Sequence, residues 1–189
     1  ADTAWIPRPI LEKVMADFDP YVEHKDKQIT SAGLDLSGAK DLTAAAFVVE
    51  TGTKLVKRAD GTEADLPTFD LWIEAWTPKD TMDERAKTDH VPYRLWNETF
   101  YPGTSWPYIH APEGKRVRYD HVAALFARLN TEHGIGVLAY DNYAFDKFAE
   151  ELDAYGVELQ TVNHPQGGKK RAAPSPEKVA AAEAAGLPK

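Results

Sequence analysis

The chain of 189 residues has no cysteine, which removes disulfides, thiolate zinc sites and cysteine nucleophiles in one step and fits a cytosolic setting. Any metal must then be held by oxygen or by histidine. Long apolar runs are missing too: nothing reaches the roughly eighteen residues that a membrane span needs. The first residues, ADTAWIPRPI, have neither the basic start nor the apolar stretch of a signal peptide. The sequence reads as soluble and unexported, with no membrane partner. No GxxxxGK[ST] phosphate loop occurs. Gly38-Ala39-Lys40 does not replace one, lacking the leading glycine at the right spacing and the hydroxyl after the lysine. Basic residues are in deficit, 22 Lys and Arg against 30 Asp and Glu for a net charge of −8, which argues against a broad phosphate-binding surface. The total is a blunt test, because acids can be gathered for metals while cations cluster locally. Lys115-Arg116-Val117-Arg118 and Lys169-Lys170-Arg171 are two such clusters, each readable as phosphate contacts or as a solvated loop.

What is present suffices for one ordinary domain, with 43% hydrophobic and 11% aromatic residues and enough length for a real core. Its organising stretch is GLDLSGAKDLT, Gly33 to Thr43. Thr30, Ala32, Leu34 and Leu36 alternate with Ser31, Gly33, Asp35 and Ser37, the two-residue period of a strand. Asp35 is therefore expected inside a strand, as a buried acid whose desolvation a bound cation would offset. Ser37 to Asp41 supply a turn, and Leu42 to Val49 a second strand. Read alone, the unit is equally an ordinary hairpin in which Asp35 caps a turn and Asp41 starts the next strand. A second acid weighs in favour of a metal. Ile135 to Tyr140 is a nearly continuous apolar run ending at Asp141, as in a buried parallel strand with a carboxylate at its carboxyl edge. Adjacent strands lie roughly 4.7 to 4.9 Å apart, so Asp35 and Asp141 could share one divalent ion. Asp141, or Asn142, could instead cap the helix expected over Tyr143 to Ala154.

The remaining elements follow from periodicity and turn residues. Ile10, Val14 and Phe18 recur at helical spacing after Pro7 and Pro9, and Asp19-Pro20 ends that helix. Residues 1–29 read as a lead-in, with Trp5 and Ile6 as an apolar anchor. Thr51-Gly52 and Asp60-Gly61 are turn signals. Phe69 to Trp76 is a third strand, with Phe69, Leu71, Ile73 and Ala75 on one face and Asp70, Trp72, Glu74 and Trp76 on the other. Glu74 reads as a surface acid rather than a third ligand. Prolines 78, 92, 102, 107 and 112 break the next stretch into pieces, with short helices near Asp80 to Lys87 and Tyr93 to Asn97. Trp96, Tyr101, Trp106 and Tyr108 read as the small core of an insertion, a base-stacking platform being the alternative. Tyr119 to Glu132 is an amphipathic helix with Val122, Leu125, Phe126 and Leu129 inward. Val157 to Val162 is a further strand, His164 a loop histidine, and Pro176 to Ala185 an alanine-rich helix capped by Ser175.

Together, GLDLSGAKDLTAAAFV (33–48), Pro92-Tyr93-Arg94-Leu95-Trp96 with its charged lead-in, Tyr119 with its helix, and LAYDNYAFDKF (138–148) resemble the nuclease domain of tailed-bacteriophage terminase large subunits. That resemblance implies an α/β, ribonuclease H-like mixed sheet. Three antiparallel strands would be followed by parallel ones, with flanking helices and a Pro/Trp-rich insertion between the third strand and the next helix. It implies that residues 1–29 lead in from a motor ATPase domain absent from this chain, and that residues 30–189 are a nuclease domain truncated at its C-terminal end. The implied activity is hydrolysis of phosphodiesters in double-stranded DNA, cutting concatemeric viral genomes in the host bacterial cytoplasm. Two Mg²⁺ or Mn²⁺ ions would sit on Asp35 and Asp141, with Asp41 assisting or serving the turn, and a third acid would lie on an element past Lys189. Lys115, Arg116, Arg118, Lys169, Lys170 and Arg171 are the candidate DNA contacts. The implied partners are the ATPase domain, the portal and the small terminase subunit. Other ribonuclease H-like phosphodiester chemistry, such as branched-DNA resolution or strand transfer, would use the same acids. A non-catalytic docking module of the motor is a further alternative. GLDLSGAKD also resembles the first phosphate loop of actin-like ATPases and sugar kinases, but their second loop and adenosine site are not found, so no ATP site is expected.

Overall fold

A computed structural model describes residues 7–38 and 41–163. Trp5, Ile6, His164, the cluster Lys169, Lys170 and Arg171, and the helix expected over Pro176 to Ala185 lie outside them. Five strands, β1 (Ser31–Asp35), β2 (Thr43–Lys57), β3 (Glu63–Trp76), β4 (Leu138–Tyr140) and β5 (Thr161–Asn163), form one sheet in the order β3-β2-β1-β4-β5. β1 pairs antiparallel with β2, and β2 with β3. β4 pairs parallel with β1, and β5 with β4. Parallel neighbours need long crossovers. These are supplied by α5 (Tyr119–Glu132), which precedes β4, and α6 (Phe145–Asp153), which joins β4 to β5.

Both helices bury their apolar stripe against one face of the sheet. Ala32, Leu34 and Leu36 from the β1 segment, Phe47 from β2, Trp72 and Trp76 from β3 and Leu138 from β4 meet Val122, Phe126 and Leu129 of α5 and Phe148 and Leu152 of α6. Phe126 lies between Phe47 and Phe148, with ring centroids 5.2 and 5.3 Å away. All three rings are fully buried, each contributing about 1.5–3 kcal/mol of hydrophobic stabilisation.

β3 has the expected alternation but the opposite orientation. Trp72, Glu74 and Trp76 face the helices, while Phe69, Leu71 and Ile73 on the other face are about half exposed. Two indoles carry more buried area than the leucine and isoleucine they displace, and the acid between them is satisfied. Glu74, expected at the surface, is 1% exposed. Its carboxylate accepts from the Tyr21 hydroxyl at 2.5 Å and meets His110 Nε2 at 2.7 Å. Burial and then the Glu74 charge push the Tyr21 hydroxyl far above its ordinary range. Thr51-Gly52 is a bulge rather than a turn: the register shifts between Glu50 and Gly52, and the ribbon runs on to a turn where Asp60 accepts from the Thr62 N–H at 2.9 Å.

Between β3 and α5 the insertion holds α3 (Met82–Asp89) and α4 (Tyr93–Glu98) around a small core of Met82, Tyr93 and Ile109. Trp96 and Tyr108, expected in that core, are partly exposed, and Trp106 packs on the main core. In the lead-in, α1 (Arg8–Val14) buries nothing. α2 (Pro20–Glu23), capped by Asp19 accepting from the Tyr21 and Val22 N–H groups, lays Tyr21 on the main core. No helix among the described residues is long and apolar enough to cross a membrane.

The run from Ile135 enters the sheet late. Ile135 forms an isolated parallel bridge to Ile29 before β4 begins, and at Gly136 a Cβ would meet the Thr30 carbonyl oxygen at 2.6 Å. Only glycine fits where backbone approaches backbone this closely. Gly136→Ala is expected to lower stability by about 1–3 kcal/mol, read as a lower urea midpoint, and an unchanged midpoint would contradict the contact.

Candidate metal centre

Parallel pairing sets Gly33 opposite Ala139 and Leu34 opposite Tyr140. One step further along each chain stand Asp35 and Asp141, which alternation places on the same face as Gly33 and Ala139. Both acids line an open cavity of about 440 Å³ together with Gly33, Ala44, Ala46 and Ile73. Small residues keep that face clear, and a Cβ on Gly33 would meet nothing within 4 Å. Asp35 departs from expectation in two ways: it is the last residue of β1 and it is exposed. The reason is the alternation itself, since Ala32, Leu34 and Leu36 take the helix-covered face.

The Asp35 carboxyl is held above the usual carboxylate range, first by partial desolvation, then by the negative charges of Asp141 and Asp41. Like charges gathered at one strand edge favour a cation. Asp141 Oδ1 accepts the Tyr143 N–H at 2.8 Å, a local turn and not a helix cap. α6 instead follows Ala144, which has no side-chain cap and sits in the left-handed region at φ 54°. Such a backbone at a non-glycine residue costs roughly 1–2 kcal/mol and is of the kind that collects at functional sites. Asn142 does not cap either; its Oδ1 accepts from Asn163 Nδ2.

Asp41 does not line the cavity, and its Oδ1 accepts the Leu42 N–H at 2.8 Å, so it serves the turn while adding charge near Asp35. The two ends of that turn are tied together. Ser37 Oγ donates to the Asp41 carbonyl at 2.8 Å, the Ser37 N–H donates to Thr43 Oγ1 at 3.1 Å, and Arg85 Nη1 reaches the same carbonyl at 3.3 Å. Arg85, buried in the insertion, also donates to Thr77 Oγ1 at 2.8 Å. It carried no signal in the sequence, being one arginine in a charged helix. Among the described residues no group of three acids or histidines is gathered for a metal, and Glu74 is committed to Tyr21 and His110 on the opposite face. Two carboxylates with an open cavity for waters or substrate oxygens fit a hard cation such as Mg²⁺ or Mn²⁺.

Beside the end of β1, Arg116, Arg118 and Lys147 line a groove of about 710 Å³ with Ser37, Gly38 and Tyr119, and with the acids Asp120, Glu150 and Glu151. Tyr119 donates to the Ser37 carbonyl at 2.9 Å, tying the start of α5 to the acidic edge. Lys147 escaped sequence reasoning because it stands alone among the acids of α6. Lys115 is exposed but does not line the groove. Arg118 is paired with Asp120 at 2.5 Å.

Two outcomes follow for the acids. Mg²⁺ or Mn²⁺ at a hundred times its dissociation constant should stabilise the protein by about 2.7 kcal/mol, and Asp35→Asn or Asp141→Asn should abolish that gain in thermal melts. Without metal the sign reverses. The folded chain holds the Asp35 proton more tightly than the unfolded chain, so its contribution is present at low pH and is lost as pH rises through the raised folded value. Asp35→Asn escapes that loss and should melt higher than the parent at pH 7 in EDTA; a lower melting point would refute the electrostatic reading.

No family model matches the chain. It is 34% identical over 138 residues to the terminase large subunit of Enterobacteria phage HK97, an alignment covering 73% of this chain and 23% of that protein. Its structure resembles the crystal structure of the HK97 bacteriophage large terminase with a TM-score of 0.53 and 29% identity, over 77% of this chain and 28% of that one. The chain thus spans about a quarter of the length of the relatives it matches, and its mixed sheet is the ribonuclease H-like arrangement expected. Over this stretch the sequence and the fold are consistent with a domain of a terminase large subunit.

Proposed function

We propose that this domain is a divalent-metal-dependent endonuclease that hydrolyses phosphodiesters of double-stranded DNA within a viral packaging motor. The observation that carries the reading is the pair Asp35 and Asp141, brought by parallel register to one open edge of the sheet beside a groove bearing Arg116, Arg118 and Lys147. Asp35 and Asp141 would hold the metal, and Asp41 would add negative charge nearby. Bound Mg²⁺ or Mn²⁺, two ions in the expected scheme, would supply a water acid enough to ionise near neutral pH and positive charge for the departing 3′ oxygen. Arg116, Arg118 and Lys147 would bind phosphates on either side of the cut, in a groove that also carries Asp120, Glu150 and Glu151. The Ser37, Thr43 and Arg85 hydrogen bonds tie Ser37 to Asp41 and Thr43, which would help to position Asp35 before substrate arrives. No side-chain nucleophile is required. The substrate would be delivered by the larger assembly, in which an ATPase domain, the portal and the small terminase subunit are the proposed partners and the host cytoplasm the proposed place. Lys169, Lys170 and Arg171 remain candidate contacts outside the described residues.

Nicking of supercoiled plasmid in Mg²⁺ and in Mn²⁺ tests the reading. Asp35→Asn and Asp141→Asn should each reduce cleavage by about a hundredfold or more while the circular dichroism spectrum is kept. Cutting at the parental rate by either variant would sink the assignment. Arg116→Ala, Arg118→Ala and Lys147→Ala should each weaken DNA binding and reduce the slope of log affinity against log salt by about one.

A further inference from the structure

On the helix-covered side of the sheet, a second cavity of about 490 Å³ opens between the end of β3, the insertion and α5, and shares no residue with the acidic one. Its walls include Trp76, Trp106, His110, His121, Leu125 and Arg128. The Arg128 guanidinium lies 4.3 Å over the Trp106 ring and 5.0 Å over that of Tyr21. Its Nε and Nη2 are nonetheless buried with no hydrogen-bond partner among the described residues. No carboxylate of the described residues pairs with it, and Glu74, the buried acid of this region, is engaged by Tyr21 and His110. Ring contact offsets part of the cost of desolvating a cation, but it does not fill the donors.

The aromatic walls stand at an angle. Trp76 stacks on His110 at 5.4 Å and 23°, and Trp106 meets the same imidazole edge-on at 5.6 Å and 82°. A ligand complementary to all of this carries a planar ring for an indole face and an anion for the guanidinium. A nucleotide has both, a base with a π-face that any aromatic side chain accepts and a phosphate whose charge complements a guanidinium with no carboxylate partner. The volume lies in the range of about 300–1,000 Å³ of small-molecule sites. We propose that this cavity binds a single nucleotide unit, its base against the wall that Trp106 and Trp76 line and its phosphate beside the Arg128 guanidinium, with the exposed His121 offering a further contact at the mouth. The unit is either a free nucleoside monophosphate or one unpaired nucleotide of a DNA strand. Trp106 thereby takes up the base-stacking role left open for the insertion's aromatics. The proposal uses no residue of the metal centre and stands or falls separately from it.

Calorimetric titration of the 189-residue chain in EDTA, with dAMP, inorganic phosphate, a short oligo-dA strand and a peptide mixing acidic and aromatic residues, tests it. Chelation keeps the Asp35 and Asp141 site out of the measurement. dAMP or the strand should bind, phosphate alone at least about tenfold more weakly, and Arg128→Met should weaken nucleotide binding by about tenfold or more. Ala124→Leu, which narrows the cavity while keeping the guanidinium, should do the same and serves if Arg128→Met does not fold. Tighter binding of the strand identifies DNA as the source, and tighter binding of dAMP a free nucleotide. No nucleotide binding, equal binding of phosphate and dAMP, binding unaffected by a folded variant, or binding of the peptide alone overturns the proposal.

Discussion

The parallel register between β1 and β4 is the constraint on which the rest depends. It is held from the far side of the sheet, where Ala32, Leu34 and Leu138 are clamped against α5 and α6. A slip of one residue in β1 would drive Asp35 into that core and turn Leu34 to water. The apolar face thus fixes the acids without touching them: the helices that bury one side of each strand decide what the other side presents. The cavity is built from absences on that second face, Gly33, Ala44, Ala46 and Ala139, rather than from groups that reach into it.

Much of this was legible in the chain. The alternation around Asp35 placed the right residues on each face, the apolar run before Asp141 announced a parallel strand, and the 3.6-residue period gave α5 its observed bounds, Tyr119–Glu132. Failures came where local pattern met tertiary choice. β3 alternates equally well in either orientation, and only packing against α5 shows that the face with Trp72 and Trp76 wins. Glu74 followed those neighbours inward, which no periodicity reveals, because its partners Tyr21 and His110 lie 53 and 36 residues away. Gly52 looked like a turn because glycine serves bulges and turns alike.

Residues that support the candidate site were the least visible. Arg85 contacts the turn after β1 from a helix 44 positions downstream, and Lys147 joins Arg116 and Arg118 only because α6 starts beside the end of β1. Neither stands in a motif. A lone cation in a charged helix becomes informative once the sheet fixes what lies opposite it. The comparison with the HK97 protein adds weight to the fold and the family, and the side chains of this chain add where its acids and cations meet.

Tyr21, Glu74 and His110 join three separate parts of the chain, the lead-in, the sheet and the insertion, at one buried carboxylate. Since α1 buries nothing, a pull exerted on that helix would first meet resistance between Phe18 and His24. Phe18 against His24, the buried Pro20 and the Tyr21 hydrogen bond to Glu74 would bear it together. Parting Tyr21 from Glu74 would leave a buried carboxylate with His110 as its remaining partner among the described residues, a desolvation cost that ties the position of the lead-in to the charge state of one acid.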